Sequence, residues 1–317
     1  MRTVVSAYAA SPAHTSWDPV FEERFLAELV ALDDVDALEL PWLGRLHPHD
    51  ADWLISRLPA TDLIVTALPW TMTRSKSSAG YGLASPDANG RATAVEDLDR
   101  MRRDVARLPV IPSVVLLHTA PSGEHGSVDA LRDSLEAIAS WDWSGTTLAI
   151  EHCDAAVSGR PFEKGFLHLV DELTALETFP EVALWLNWGR SAVELRDTAA
   201  VTAQIAAAAA SGRLLGLTLS GAAGTDGPYG PAWADAHLPF AETDPRAGSL
   251  LTRSAARSAL RAAGDVPWHG LKVSRRPGEE SVAEVLATVE ANLAVLREAE
   301  GTPVAALGAA LVGGTDG

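Results

Sequence analysis

Eight apolar runs of strand length alternate with eight segments of helical period, and no other feature restricts the fold of this chain as strongly. The predicted strands cover residues 3–8, 36–40, 62–68, 113–118, 146–151, 182–187, 214–220 and 269–274. The predicted helices cover residues 19–32, 49–58, 91–108, 127–140, 163–177, 190–210, 249–263 and 280–299. Strands that are each followed by a helix predict an α/β fold, a single (β/α)8 TIM barrel. A doubly wound open sheet is the alternative, but no glycine-rich phosphate turn follows the first strand.

The length and the composition are compatible with one large domain. The chain has 317 residues, of which 47% are hydrophobic, so it can fill a single barrel. The sequence contains no clear linker and no internal repeat. We therefore expect one barrel domain over residues 1–300, followed by a tail of small residues at 301–317.

Charge and cysteine content restrict the partners and the compartment. A formal net charge of −17 repels phosphate backbones, so nucleic acid is not an expected partner. The only cysteine, Cys153, cannot form an intramolecular disulfide, which is typical of a reducing, cytoplasmic compartment. The most apolar region, residues 199–223, is interrupted by Gln204, Ser211 and Arg213, so no membrane span is expected. A homo-oligomer is compatible with the sequence, which carries no interface signal.

Loop lengths predict which end of the barrel carries a site. The connections from helix to strand are short, whereas residues 9–18, 69–90 and 221–248 form long connections from strand to helix. In a barrel these long loops all lie at the C-terminal ends of the strands, where barrel active sites are found. The segment 71–90 has the composition of a lid over such a site, and a flexible insertion is the alternative.

Side-chain alternation predicts which residues of each strand point into the barrel. Apolar residues such as Leu148, Ile150 and Leu215 are expected outside, against the helices. A convergent polar cluster inside the C-terminal end of the barrel predicts a functional site. The alternative is an internal network in which Glu39 or Glu151 pairs with Lys272. The inward residues nearest the strand ends are Tyr8, Glu39, His118, Glu151, Asn187, Ser220 and Lys272.

Tryptophans are frequent directly after the predicted strands. Trp42, Trp70, Trp188 and Trp233 are expected to line the barrel mouth, where an indole face could stack on a sugar ring. The alternative is that these side chains simply bury a large apolar area.

The long loop after the seventh strand adds further polar side chains. Asp226, Tyr229 and His237 are predicted to close over a ligand bound at the mouth.

Several motifs resemble those of a known family of bacterial proteins. They are IEHCDA (150–155), LNWGRSAVE (186–194), SGAAGTDGPYG (220–230) and DAHLPF (235–240), together with LHPHD and YGLAS. Over roughly positions 1 to 300 the chain resembles the DUF4862 family, within the xylose isomerase-like TIM barrels. That superfamily resemblance implies a divalent metal held by a Glu, an acid, a His and a further acid on successive strands. It also implies proton transfer next to the carbonyl of a ketose.

The expected metal ligands are only partly present. Glu151 matches the first ligand position, but Asn187 stands where the second acid is expected. Thr218 or Ser220 stands in place of the His, and Lys272 or Ser274 in place of the last acid. Mn²⁺ and Mg²⁺ prefer several anionic oxygen ligands. Asn187, Thr218 and Lys272 therefore disfavour a bound Mn²⁺, Mg²⁺ or Zn²⁺, and no cofactor is predicted.

A positive side chain could replace the metal. The His that usually follows the second ligand is here Arg190. Either Lys272 or Arg190 could supply the charge that stabilises an enolate. Glu151 would then accept the proton, assisted by His118 or Glu39. His152 and Asp154 are expected to support the site from behind, because alternation turns His152 away from the barrel axis.

Three functions remain open from the sequence. The first is a sugar isomerase or epimerase acting on a small-molecule carbohydrate, with Tyr8, Asn187, Trp188, Arg190 and Ser220 among the substrate-binding residues. The second is a keto-glycoside lyase or hydrolase on the same fold. The third is a sugar-binding protein without catalytic activity.

Overall fold

The strands form a closed parallel barrel in chain order, with β8 paired to β1. The computed structural model describes residues 1–12, 16–123 and 125–301. The predicted single (β/α)8 TIM barrel is therefore confirmed, whereas the predicted tail beyond Gly301 lies outside the described residues. The strands are β1 (Arg2–Ser6), β2 (Ala37–Pro41), β3 (Asp62–Thr66), β4 (Val114–Leu117), β5 (Thr147–Glu151), β6 (Ala183–Asn187), β7 (Leu214–Leu219) and β8 (Trp268–Leu271).

Helices surround this barrel, and most of them begin at an Asp, Asn, Ser or Thr whose side chain accepts a backbone N–H of the first turn. Among the described residues, none of these helices is both long and apolar enough to cross a membrane. The helices are α1 (Ala7–Ala10), α2 (Pro19–Val30), α3 (Ala51–Arg57), α4 (Leu68–Ser77), α5 (Ala88–Val105), α6 (Val128–Ala139), α7 (Leu169–Leu176), α8 (Trp188–Leu195), α9 (Thr198–Ala210), α10 (Arg253–Ala263) and α11 (Val282–Glu300).

Two predicted helices differ from the structure. The segment 190–210 is not continuous, because Arg196 takes a left-handed conformation with φ 55° and Asp197 then caps α9. The segment 163–177 is helical only from Leu169, because the carboxylate of Asp154 accepts backbone N–H groups at its start. Val170, predicted on the apolar face, is 66% exposed.

The predicted lid is part of the packed structure. Its first residues belong to α4, which follows β3 almost directly. Tyr81, Leu83 and Ala84 are buried, and a Cβ on Gly82 would meet the carbonyl of Ala120 at 2.1 Å. Such close backbone packing is typical of a fixed connection, so the lid interpretation of residues 71–90 was wrong.

The barrel interior has an apolar lower part. Val4, Ile64, Leu116 and Trp185 pack together there, and the indole N–H of Trp185 donates to Thr218 Oγ1 at 2.8 Å. The inward direction of alternate residues agrees with the alternation predicted from the sequence. Leu215 is an exception, because the register between β6 and β7 shifts after Leu184 and turns Leu215 towards the interior cluster.

The small size of Gly216 is required by the Trp185 ring, and this generates a stability prediction. A Cβ at Gly216 would lie 2.5–2.6 Å from the ring atoms of Trp185. We expect Gly216→Ala to lower the free energy of unfolding by about 1–3 kcal/mol in urea titrations. Gly227→Ala is the control, since its Cβ would approach only two carbonyl oxygens, at 3.7 and 3.9 Å. Equal stabilities of the two variants would contradict this account.

Candidate active site

A buried trio of charged and polar side chains lies inside the C-terminal end of the barrel. Glu151, the last residue of β5, forms an ion pair with Arg190 Nη1 and contacts His118 Nε2 at 2.8 Å. All three side chains are at most 2% exposed. His118 directly follows β4, and Arg190 lies in the first turn of α8. The trio therefore assembles from three successive barrel units.

The surroundings set the protonation of Glu151. Burial alone would raise the pKa of Glu151, but the Arg190 guanidinium and the hydrogen bond to His118 outweigh burial and hold that pKa far below its usual range. Glu151 is therefore an ionised carboxylate and a weak proton acceptor.

His118, in contrast to Glu151, is held in its uncharged form. Burial lowers the pKa of His118 and outweighs the attraction of Glu151, so the imidazole is neutral at neutral pH. When Nε2 carries the proton and donates it to Glu151, Nδ1 keeps a free lone pair. His118 Nδ1 has no hydrogen-bond partner among the described residues. Glu151 thus holds a neutral, buried imidazole whose basic nitrogen, Nδ1, is not engaged by another described residue.

A second charged group lies across the barrel. Lys272 Nζ donates to Glu39 Oε1 at 2.8 Å and also to the hydroxyl of Tyr8. Ser6 donates to the other oxygen of Glu39. Burial alone would lower the pKa of Lys272, but Glu39, Tyr8 and Glu151 together outweigh burial and raise that pKa, so the ammonium stays charged. Burial also raises the pKa of Tyr8, which keeps the phenol protonated.

A third group closes the outer side of the site. Asp235, in the loop between β7 and α10, accepts from Arg190 Nε at 3.1 Å and from Lys164 Nζ at 2.5 Å. Its other oxygen lies 3.2 Å from His237 Nδ1, which in turn lies 3.1 Å from Ser220 Oγ. Burial alone would raise the pKa of Asp235, but Lys164, His237 and Arg190 hold it well below its usual value.

Two residues of the site, Asp235 and Lys164, were not predicted from the sequence. Asp235 is the first residue of the DAHLPF motif, and His237 was the only residue of this motif that was predicted to contact a ligand. Lys164 had no comparable signal, because it lies within a segment whose pattern predicts a helix. Asp154 brings it into place by accepting the backbone N–H groups of Glu163 and Lys164 at 2.8 and 2.9 Å.

His152 lies on the opposite side of β5, outside the barrel. Its Nδ1 contacts Glu172 Oε2 at 2.8 Å and its Nε2 contacts Glu194 Oε2 at 3.0 Å. Burial alone would lower the pKa of His152, but the two carboxylates raise it to about 10. His152 is thus a buried imidazolium that joins β5 to α7 and α8.

Asn187 holds the start of α8. Its Oδ1 accepts the backbone N–H groups of Gly189 and Arg190 at 3.0 and 3.3 Å. Asn187 Nδ2 and Arg190 Nη2 are buried donors without an acceptor among the described residues. The amide oxygen is therefore engaged in capping, and two donors remain for a bound acceptor.

Two of the tryptophans do not line the mouth as predicted. Trp42 and Trp188 are fully buried in the apolar layer between the strands and the helices. The indole N–H groups of Trp42 and Trp70 donate to Asp104 at 2.8 Å and to Asp97 at 2.7 Å. Because Trp42 and Trp188 are fully buried, the stacking role expected for these two side chains was wrong. Trp70 is only partly buried, and its expected role stays a prediction. Trp233 is half-buried beneath the Arg196 guanidinium, whose carbon is 5.0 Å from the ring centre.

Two of the predicted loop residues stabilise the loop itself. Asp226 is exposed and accepts the backbone N–H of Ala232 at 2.9 Å. The hydroxyl of Tyr229 donates to Asp244 Oδ2 at 3.0 Å. Of the three residues predicted to close over a ligand, only His237 is in the charged cluster.

The donor set does not fit a divalent metal ion. Glu151 is engaged by Arg190 and His118, and the oxygen of Asn187 caps α8. The ammonium of Lys272 opposes a second cation in the same space. Over the described ranges, no cluster of three or more His, Cys, Asp or Glu side chains is arranged to hold a metal.

The charged state of His152 generates a stability prediction. Because its folded pKa of about 10 exceeds the ordinary 6.5, its contribution is complete below pH 6.5 and is lost as the pH rises through 10. We expect His152→Gln to lower the free energy of unfolding by about 3–5 kcal/mol at pH 6, since two buried carboxylates lose their partner. The difference from the parent chain should shrink towards pH 10 in urea titrations. A constant difference across this range would contradict the charged imidazolium.

Solved structures with the same fold carry different activities. A D-psicose 3-epimerase with D-tagatose from Clostridium cellulolyticum H10 matches with a TM-score of 0.53 and 13% identity, covering 93% of this chain and 99% of that chain. Endonuclease IV from Thermus thermophilus matches with a TM-score of 0.54 and 14% identity, covering 96% of this chain and 100% of that chain. At such identities the likeness shows a shared fold alone.

Sequence comparison gives a more specific result. An uncharacterised protein of Salmonella typhimurium strain LT2 is 35% identical over 271 residues, which cover 82% of this chain and 84% of the relative. The family model described as a domain of unknown function, DUF4862, matches residues 4–288. The resemblance expected from the sequence motifs is confirmed, and the chain belongs to the DUF4862 family.

Proposed function

We propose that this protein is a sugar isomerase or epimerase that moves a proton next to a carbonyl and uses fixed side-chain cations in place of a divalent metal. One observation carries the proposal: a neutral His118 is held by an ionised Glu151 beside the buried cation Arg190. This arrangement combines a base with a positive charge, which are the two elements that enolisation requires. The D-psicose 3-epimerase of the same fold adds support, because its structure was solved with the sugar D-tagatose.

The proposed step begins at His118. Nδ1 accepts the proton from the carbon next to the carbonyl, and the electron pair of the broken C–H bond forms the enolate. Lys272 or Arg190 stabilises the negative charge on the enolate oxygen. Delivery of a proton to the same carbon from the opposite face, by solvent, gives epimerisation while His118 releases its proton. Return of the His118 proton to the former carbonyl carbon, with transfer of the neighbouring hydroxyl proton to the enolate oxygen, gives isomerisation. Glu151 orients His118 and stabilises the imidazolium, so the base is His118 rather than the Glu151 expected from the sequence.

The same first step also supports a keto-glycoside lyase. Removal of a proton next to the ketone of a keto-glycoside gives an enolate that can expel the glycosidic oxygen from the adjacent carbon. The contacts of His118 are equally suited to that reaction. Product analysis separates the two reactions, because only the lyase releases an alcohol.

The test of this function is solvent exchange. Incubation with a panel of ketoses and keto-glycosides in D₂O should incorporate deuterium next to the carbonyl, which NMR detects. His118→Asn should reduce the exchange rate by about 10²–10⁴-fold, since the general base is removed. His269→Asn is the matched control, because His269 is likewise buried and paired with a glutamate, Glu300, but lies at the other end of the barrel.

Two outcomes would contradict the proposal. Absence of exchange with every substrate class would favour a non-catalytic sugar-binding protein. Dependence of the exchange on one equivalent of Mn²⁺, Zn²⁺ or Co²⁺ would show that Arg190 and Lys272 do not replace a metal.

The lowered pKa of His118 predicts the pH dependence of exchange. The base must be unprotonated, and its pKa in the folded protein lies below the ordinary 6.5. The rate should therefore remain constant as the pH falls to 6.5 and decline only below that value. Glu151→Gln should lower the rate at neutral pH, because the imidazolium formed in the reaction loses its counter-charge. A parent-enzyme decline centred above pH 6.5 would contradict the assignment of His118 as the base.

A further inference from the structure

We propose that the site takes a substrate bearing a carboxylate, and that Asp235 occupies the place of that carboxylate in the structure described above. The identification of the ligand as a substrate rests on the proposed function, but anion binding at this place can be tested independently of that function. The place is defined by Arg190 Nε, Lys164 Nζ and His237 Nδ1, and we refer to these three groups as the anion cradle.

Two of the three cradle groups, Arg190 and Lys164, come from elements other than the loop that supplies Asp235, whereas His237 lies on that loop. Arg190 lies on α8, and Lys164 lies in the loop between β5 and α7, where Asp154 fixes its backbone. Asp235 comes from the loop 221–248, whose only helical part is the three-residue turn Pro245–Ala247. Two rigidly placed cations thus hold one carboxylate supplied by a long loop.

The loop is strained on both sides of Asp235. Trp233 has φ 60° and His237 has φ 52°, in the left-handed region that non-glycine residues rarely adopt. Such conformations are unfavourable and persist only where surrounding contacts impose them. The ion pairs of Asp235 are among the contacts that hold this loop, together with the backbone hydrogen bond from Trp233 to the Ala223 carbonyl.

The position of the cradle suits entry of a ligand. Asp235 and His237 have side-chain exposures of 8% and 16%, whereas Glu151 is only 1% exposed. An incoming molecule therefore meets the cradle before it meets the His118–Glu151 pair. The buried donors Arg190 Nη2 and Asn187 Nδ2, which have no acceptor among the described residues, add hydrogen bonds that an anionic ligand accepts.

One guanidinium joins the cradle to the catalytic groups. Arg190 binds Asp235 through Nε and Glu151 through Nη1. A ligand whose carboxylate replaces that of Asp235 therefore binds the same guanidinium that pairs with Glu151, the partner of His118. The chemical class that fits is a sugar acid with a carbonyl near its carboxylate, such as a keto-aldonate or a uronate in its open-chain form.

Acetate is the probe for the anion cradle, because it is the smallest stable analogue of the Asp235 side chain. In Asp235→Ala, 100 mM acetate should raise the Tm by at least about 2 °C relative to chloride at equal ionic strength. The parent chain should show a smaller shift, since Asp235 competes for the same cations. Acetamide, which is isosteric but neutral, should have no effect on either chain.

Two further variants keep the test decisive. Asp235→Asn preserves the size of the side chain and tests the proposal if Asp235→Ala does not fold, and its acetate shift should still exceed that of the parent chain. Addition of Lys164→Met to either Asp235 variant should abolish the shift. Equal acetate shifts in the parent and the Asp235 variants, or a shift that survives Lys164→Met, would overturn the anion cradle and leave Asp235 as a fixed structural partner of Arg190.

The substrate class is tested separately by deuterium exchange. Keto-aldonates and uronates should exchange faster than neutral ketoses of the same chain length. Acetate binding without any exchange would support the cradle and contradict the proposed function. Exchange into neutral ketoses alone, with no acetate effect, would support the proposed function and overturn the cradle.

Discussion

The interior of the barrel depends on the burial of one cation. Arg190 is fully buried, and an unpaired guanidinium in such a place would be strongly destabilising. Glu151 and Asp235 neutralise it from two sides, one at the end of a strand and the other on a loop. Strand β5, helix α8 and the loop 221–248 therefore form one electrostatic unit, because removal of any member leaves an uncompensated charge.

Glu151, the last residue of β5, and His152, which follows it, point to opposite faces of the barrel wall. Glu151 points inward to Arg190, and His152 points outward to Glu172 and Glu194. The inner side chain is an anion held by cations, and the outer one is a cation held by anions. The end of β5 is thus fixed from both sides, which restricts the motion of the carboxylate on which His118 depends. A backbone restrained in this way keeps the Glu151–His118 pair in one orientation.

The part of the site that lies on strands was predictable from the sequence, and the part on loops was not. Alternation is a property of the extended backbone, so it placed Glu39, Glu151 and Lys272 inside the barrel. Alternation also placed His118 and Lys272, which directly follow β4 and β8, but beyond a strand end the backbone need not stay extended and the rule weakens. The side chain of Trp42 could turn over the mouth or under the helices, and its hydrogen bond to Asp104 accompanies the second direction. Asp235 reaches the site only through a strained loop, whose conformation no local pattern encodes.

Helix α8 starts at the residue after the last residue of β6, with no connecting loop. Asn187, Arg190 and Glu194 follow one another at helical spacing, so the cap, the inward cation and the outward anion move as a single rigid body. Insertion of even one residue at this junction would rotate Arg190 away from Glu151 by about 100°. We expect the length of this connection to be invariant among relatives with this site.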